Sequence, residues 1–164
     1  MIGEKMRDAL NRQLNAELYS AYLYLSMAAY FESIKMGGMA TWMRGQFAEE
    51  QEHGLKFFDF VKGQGARVSL AAIDAPQAEW ASPLAAFEAA YQHERKVTGM
   101  IGDLVKLAES EGETVTRDFL QWFVKEQEEE EESVDTIVQK LKKAKDAAPD
   151  LSAIDRELGR RKAG

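Results

Sequence analysis

Gln46-Phe47-Ala48-Glu49-Glu50-Gln51-Glu52-His53 sets Glu50 and His53 three residues apart inside a long run of helical periodicity. Positions i and i+3 share one face of a helix. That face is otherwise apolar, with Met43 and Phe47 before the pair, then Phe57 and either Phe60 or Val61 after it. A carboxylate and an imidazole are thus aimed at a core, where each is costly unless something pairs with it.

The neighbouring segments repeat the pattern. Residues from about Glu4 to Ser33 read as a first helix with the seam Leu10, Leu14, Glu17, Ala21, Tyr24, Ala28, Phe31, and Glu17 interrupts it. Gly37-Gly38 is expected to end this segment in a tight return. The second helix, from about Met39 to Gly63, holds the opening stretch. Ser82-Pro83 is a helix start, a capping hydroxyl followed by proline at the first helical position. The third seam reads Leu84, Phe87, Tyr91, Glu94, Thr98, Ile101, Val105, Ala108, and Gly112 ends it, with Thr114 or Thr116 expected to cap the next helix. A fourth helix reaches about Ala144 with the seam Leu120, Phe123, Gln127, Glu130, Val134, Ile137, Leu141. The acid run Glu126 to Glu132 would ordinarily be a solvated face, but the flanking apolar phase turns Gln127 and Glu130 inward.

Between the second and third helices, Ala66 to Ser82 has no helical period and is extended at most around Arg67 to Leu70. A loop this long is commonly a crossover or functional. One long crossover lets the second and third helices run parallel. After Pro149, the residues Leu151, Ile154 and Leu158 mark a short amphipathic helix at about 150–160, ahead of the basic end Arg160, Arg161 and Lys162. So short a helix needs somewhere to dock. The expected fold is all-α: one domain over 1–164, a four-helix bundle over 4–144, one long crossover between helices 2 and 3, and a short fifth C-terminal helix.

Composition agrees. The chain has 164 residues, 45% hydrophobic and 30% charged, with 3 Pro, which suits one helical domain with a real core. A net charge of −7 argues against a nucleic-acid partner and accommodates cations. Without cysteine, disulfides, thiolate zinc sites and iron–sulfur centres are excluded. No apolar run approaches the roughly 20 residues that span a bilayer, and no signal peptide is read behind Glu4 and Lys5. A cytoplasmic location is the expectation.

The polar interruptions obey one arithmetic. Glu17 to Glu50 is 33 residues, as is Glu94 to Gln127, and a shift of 77 carries Glu17 onto Glu94, Glu50 onto Gln127 and His53 onto Glu130. Two helical hairpins of similar build are therefore expected about a pseudo-twofold axis. All the interruptions fall near helix midpoints, so they meet in one dry layer whichever way each helix runs. A Glu from each of two helices and a Glu-x-x-His from each of the other two is the ligand pattern of di-iron carboxylate bundles. Here Glu50-x-x-His53 is intact and its counterpart reads Gln127-x-x-Glu130. Two divalent cations would remove the repulsion among such acids, and mixed carboxylate and imidazole donors suit iron, manganese or zinc.

Each residue taken singly also has a plain reading. One buried Glu or His in a helix is usually a satisfied structural group. Tyr24, two turns from Glu17, is either a core tyrosine with a bonded hydroxyl or a redox neighbour of the metals. His93 lies about 100° off the seam and reads as surface or as a neighbour of the ligands. Trp122 reads as packing. The four interruptions at one level outweigh these separate readings.

Several motifs now resemble those of the bacterial and archaeal non-haem ferritins, over nearly the whole length. They are Asn15-Ala16-Glu17-Leu18-Tyr19-Ser20-Ala21-Tyr22-Leu23-Tyr24-Leu25-Ser26-Met27-Ala28, Glu49-Glu50-x-x-His53, His93-Glu94, and Phe119-Leu120-x-Trp122-Phe123-x-x-Glu126-Gln127-x-Glu129-Glu130. The resemblance implies a ferroxidase centre. Glu17, Glu50 and His53 would hold one iron. Glu50 and Glu94 would hold the second, with Gln127 beside it and Glu130 within reach. Glu49, Glu126, Glu129 and Glu130 would form a third iron site, and Tyr24 would stand beside the centre. It further implies a homo-oligomeric shell of 24 subunits that oxidises Fe(II) with dioxygen or hydrogen peroxide and stores ferric mineral. The fifth helix would pack at a symmetry axis. Bacterioferritins look similar but carry Glu and His where this chain has Gln127 and Glu130, and they bind haem through a Met where this chain has Gln51, so no haem is expected. The cysteine-rich module of rubrerythrins has no counterpart here.

Overall fold

The computed structural model describes residues 1–161, so Lys162 of the basic end lies outside the described residues. Five helices follow one another: α1 Glu4–Ser33, α2 Gly37–Gly63, α3 Pro83–Ser110, α4 Thr114–Ala144 and α5 Ala148–Leu158. Among the described residues there is no strand. Helices α1 and α2 form one hairpin and α3 and α4 another, packed as a four-helix bundle with α5 against α2 and α4.

Residues 66–80 have no regular structure and lie lengthwise along α1. Asn11 Nδ2 donates to Arg67 O and Asn11 Oδ1 accepts from Ser69 N; Asn15 donates to Ala72 O and Ser26 Oγ to Gln77 O. The segment ends with Trp80 edge-on against Tyr30, 5.5 Å between ring centres. It therefore carries the chain back along the bundle, so α3 runs parallel to α2, as the crossover reading expects. Gly3 N donates to Glu113 Oε1, which places the start of α4 beside the start of α1.

The core has two apolar halves with the polar layer between them. One half gathers Tyr24, Met27, Phe31, Met39, Met43 and Phe87. The other gathers Met6, Leu10, Phe57, Ile101, Leu120 and Phe123. Phe57 stacks on Phe123 at 4.3 Å and Phe60 on Phe119 at 4.0 Å, joining the two hairpins through α2 and α4. Such pairs add about 0.5–1.5 kcal/mol beyond the area they bury.

Local details correct the sequence reading in five places. Gly37 and Gly38 lie inside α2, and the return is made by 34–36 with Lys35 at φ 63°. Gly38 is required by packing, because a Cβ there would stand 1.7 Å from Asp155 O of α5. The start of α4 is held by neither threonine: Thr114 is its first residue, and Glu113 before it gives its carboxylate to Gly3 N. In α3 the buried seam is Phe87, Ala90, Glu94, Val97, Ile101, Leu104, Ala108, while Tyr91, Thr98 and Val105 sit at its margin. The 3–4 period permits both phases, and the buried Val97 and Leu104 are more apolar than their neighbours Thr98 and Val105. On α2, Phe47 is half-buried and Val61, not Phe60, is fully buried. Pro149 lies in the first turn of α5 rather than ahead of it. Ser82 does cap α3, its Oγ accepting from Ala85 N at 3.1 Å.

Candidate metal centre

Glu17 on α1, Glu50 and His53 on α2, Glu94 on α3, and Gln127 and Glu130 on α4 are all buried, each 4% exposed or less. The helical periods that align the apolar seams bring these six side chains to one level. Three overlapping sets have ligand atoms within 4.8 Å of one another: Glu17, Glu50 and His53; Glu50, Glu94 and Glu130; His53, Glu126 and Glu130. Glu50 belongs to the first two.

Neutral partners hold the acids. Tyr24 donates its hydroxyl to Glu94 Oε1 at 2.6 Å. Gln127 Nε2 donates to Glu94 Oε2 and Glu94 O, both at 3.1 Å, and to Thr98 Oγ1 at 3.2 Å. Gln13 Nε2 donates to Glu17 Oε1 at 3.1 Å, and Gln46 Nε2 to Glu130 Oε2 at 2.9 Å. His53 Nδ1 faces Glu50 Oε2 at 3.3 Å, with Trp122 and Phe123 edge-on to its ring at 5.5 and 5.9 Å. After these bonds, Glu17 Oε2 and Glu50 Oε1 are buried with no partner. A lone buried oxygen of this kind carries a desolvation cost of about 1–3 kcal/mol or more. Both oxygens belong to residues of the first set, where a cation would satisfy them together.

Electrostatics agree with the geometry. Burial pushes the Glu50 carboxyl well above the usual carboxylate range, and the Glu17 and Glu94 charges push it further. Burial raises Glu94 to about 7, against the opposing bonds from Tyr24 and Gln127. Glu130 is raised to about 9 by burial and then by the charge of Glu94. The Tyr24 phenol is likewise driven up by burial and by Glu94, Glu50 and Glu130, so it keeps its proton. Carboxyls held this way take up protons when no cation is present, and cations bind by displacing them.

Outside this layer, Glu49 and Glu126 are half-buried and Glu129 is exposed. With Glu130 they line a cleft of about 370 Å³. Burial also raises Glu126. His93 is half-buried, its Nε2 2.7 Å from Ser20 Oγ, and burial lowers it to about 4. It does not enter the layer. Trp122 is exposed on its outer face, where Lys56 Nζ lies 3.7 Å from the ring centre.

Sequence reading misses Gln13 and Gln46. Each stands four residues before an acid of the layer, Glu17 and Glu50, and the two glutamines repeat the 33-residue spacing. That repeat is the one signal that could have found them. Gln46 nevertheless spends its amide on Glu130 across the bundle.

Known proteins align with the whole of this frame. A family described as the ferritin-like domain matches residues 7–144. A bacterial non-heme ferritin of Bacteroides fragilis is 41% identical over 98% of this chain and 100% of its own. One from Staphylococcus saprophyticus is 35% identical over 98% of this chain and 96% of its own. The open pore ferritin of the hyperthermophilic archaeon Archaeoglobus fulgidus is 52% identical, covers 99% of this chain and 100% of its own, and superposes with a TM-score of 0.98. A form of that ferritin engineered to be closed gives 52% and 0.99 over all of both chains. With the family signature across the bundle and relatives matched end to end, the chain belongs to the ferritin family, among the non-haem ferritins.

Proposed function

We propose that this chain is an iron-storage subunit with ferroxidase activity, oxidising Fe(II) at an intrasubunit pair of sites and storing ferric mineral inside a homo-oligomeric shell of 24 copies. The observation that carries it is the pair of orphaned oxygens, Glu17 Oε2 and Glu50 Oε1, buried inside overlapping ligand sets. The donor set of carboxylates with one imidazole suits iron, which enters here as substrate. Glu17, Glu50 and His53 would hold the first Fe(II), and Glu50 and Glu94 the second, with Glu130 in reach. Two Fe(II) give up one electron each, and dioxygen with two protons takes both to become hydrogen peroxide.

This chain's own groups divide the remaining work. Gln127 and Tyr24 fix Glu94 from two sides, so its carboxylate is oriented before any cation arrives. The Tyr24 phenol, held protonated, keeps a hydrogen-bond donor against the second site. Trp122 and Phe123 wall His53 off from water. Glu49, Glu126, Glu129 and Glu130 would take the third iron in the outer cleft. The names of the relatives support storage and the absence of haem.

Mixing metal-free protein with Fe(II) in air and following ferric absorbance tests the reading. Oxidation well above the buffer rate is expected, with loss in Glu50→Ala and His53→Ala. A rate equal to buffer, or variants as fast as the parent, would refute it. Light scattering checks the shell, and a small oligomer without mineral would favour a peroxide-consuming di-iron protein.

A further inference from the structure

The last described residue folds back onto the bundle. Arg161 Nη2 donates to Glu49 Oε1 at 2.9 Å and Nη1 to Trp42 O at 3.1 Å. The guanidinium carbon lies 4.7 Å from the centre of the Trp42 ring. Gly45 provides the space: a Cβ there would stand 2.6 Å from Arg161 Nε and 2.9 Å from Cζ. An aromatic face, a carbonyl, a carboxylate and a glycine notch therefore form one seat. Arginine suits it, being planar, weakly hydrated and able to fork its hydrogen bonds. The segment carrying Arg161 is itself anchored, since Asp155 Oδ1 accepts from Met39 N at 2.8 Å and Gly159 packs on Gly38.

The seat lies in the outer acidic cleft. Glu49, Glu126, Glu129, Glu130 and Arg161 line the same space of about 370 Å³, and Arg161 is the sole basic side chain among its described lining residues. We propose that Arg161 is a tethered occupant of this cleft, and that a divalent cation must displace it from Glu49 to be fully coordinated there. The proposal rests on the reading that the outer acids take a cation. Tethering keeps the guanidinium at high effective concentration, so the outer cleft fills later and more weakly than the inner layer. Coupling of this kind is reciprocal: a cation in the cleft loosens the C-terminal turn, and loosening that turn favours the cation.

Isothermal titration of the metal-free protein with Zn(II), which carries no redox chemistry, tests it on three chains: the parent, Arg161→Gln and Gly45→Ala. The second variant keeps the positive charge but fills its notch. A tight class of inner sites is expected to be the same in all three. The weaker outer class should tighten about tenfold in Arg161→Gln, the scale of one charge-assisted contact, and in the same direction in Gly45→Ala. Hydrogen exchange should speed up over residues 155–161 of the parent when Zn(II) fills the outer class. An outer class present with unchanged affinity in both variants, or a C-terminal turn equally protected with and without Zn(II), would overturn the proposal, whereas no outer class in any chain would refute the reading on which it rests, and the proposal with it. Loss of the tight class in the parent would instead refute the inner centre. Thermal unfolding of each variant confirms that it is folded.

Discussion

Hairpin α1–α2 brings Glu17, Glu50 and His53 to the polar layer, and hairpin α3–α4 brings Glu94, Gln127 and Glu130 from the corresponding positions. The scaffolds match and the chemistry does not. Relative to two identical copies, the second hairpin trades its shared carboxylate for an amide and its imidazole for a carboxylate. The number of acids in the layer stays at four. One of them, Glu130, now belongs both to the set with Glu50 and Glu94 and to the set with His53 and Glu126. A repeated frame thus carries unequal donor sets with the same number of acids, and Glu130 is the acid common to the layer and to the outer cleft.

The largest effect should come from cutting the contact between the hairpins. Phe57→Ala removes the stack on Phe123 and is expected to cost about 3–5 kcal/mol in urea unfolding. One cooperative transition is expected, and separate melting of the hairpins would show that they are two units rather than halves of one core. Next in size is the division of labour over iron. Glu50→Ala or His53→Ala in the first hairpin should slow Fe(II) oxidation about 100-fold or more. Gln127→Ala in the second removes only a group that orients Glu94, and should slow it about tenfold. Equal losses would erase the distinction between the hairpins.

Acidity joins the two hairpins, because Glu94 and Glu130, raised to about 7 and about 9, lie on the second, while Glu50, pushed well above the usual carboxylate range by burial, lies on the first. A carboxyl whose folded value exceeds its unfolded one stabilises the fold fully below about pH 4.5, and that contribution is lost as pH rises through the folded value. The metal-free protein should therefore melt at lower temperature at pH 9 than at pH 5. Glu130→Gln should flatten the fall above pH 7, and Zn(II) should offset it by binding the ionised form. A parent whose melting temperature rises over this range would contradict the sign. Smallest are the helix starts. Helix α3 is capped by its own Ser82, whereas α2 borrows Asp155 of α5. Ser82→Ala and Asp155→Ala should each cost about 1 kcal/mol in thermal unfolding.

What the sequence made legible was whatever a helical period can encode. Seams of α1 and α4 are all buried as read, and the 33- and 77-residue spacings placed Glu17, Glu50, His53, Glu94, Gln127 and Glu130 at one level. In α3 only Tyr91 against Ala90 points to the wrong phase; at the other two steps the buried residues, Val97 and Leu104, are more apolar than Thr98 and Val105, so hydrophobicity could have corrected the phase there. Contacts between distant segments were not legible. Nothing local says that Gln46 reaches Glu130, that Asp155 sits on the start of α2, or that Arg161 returns to Glu49. Those pairings depend on where the bundle places chain ends, which no period records.

The crossover pinned along α1 behaves as a one-sided gauge. From Asn11 to Ser26 the helix advances about 22 Å at 1.5 Å per residue. Between their partners, Arg67 and Gln77, an extended chain covers at most roughly 33 Å at 3.3 Å per residue. The slack amounts to about three residues. Extra residues in this stretch can loop outward at small entropic cost, but a deletion longer than the slack must tear out one of the two pins.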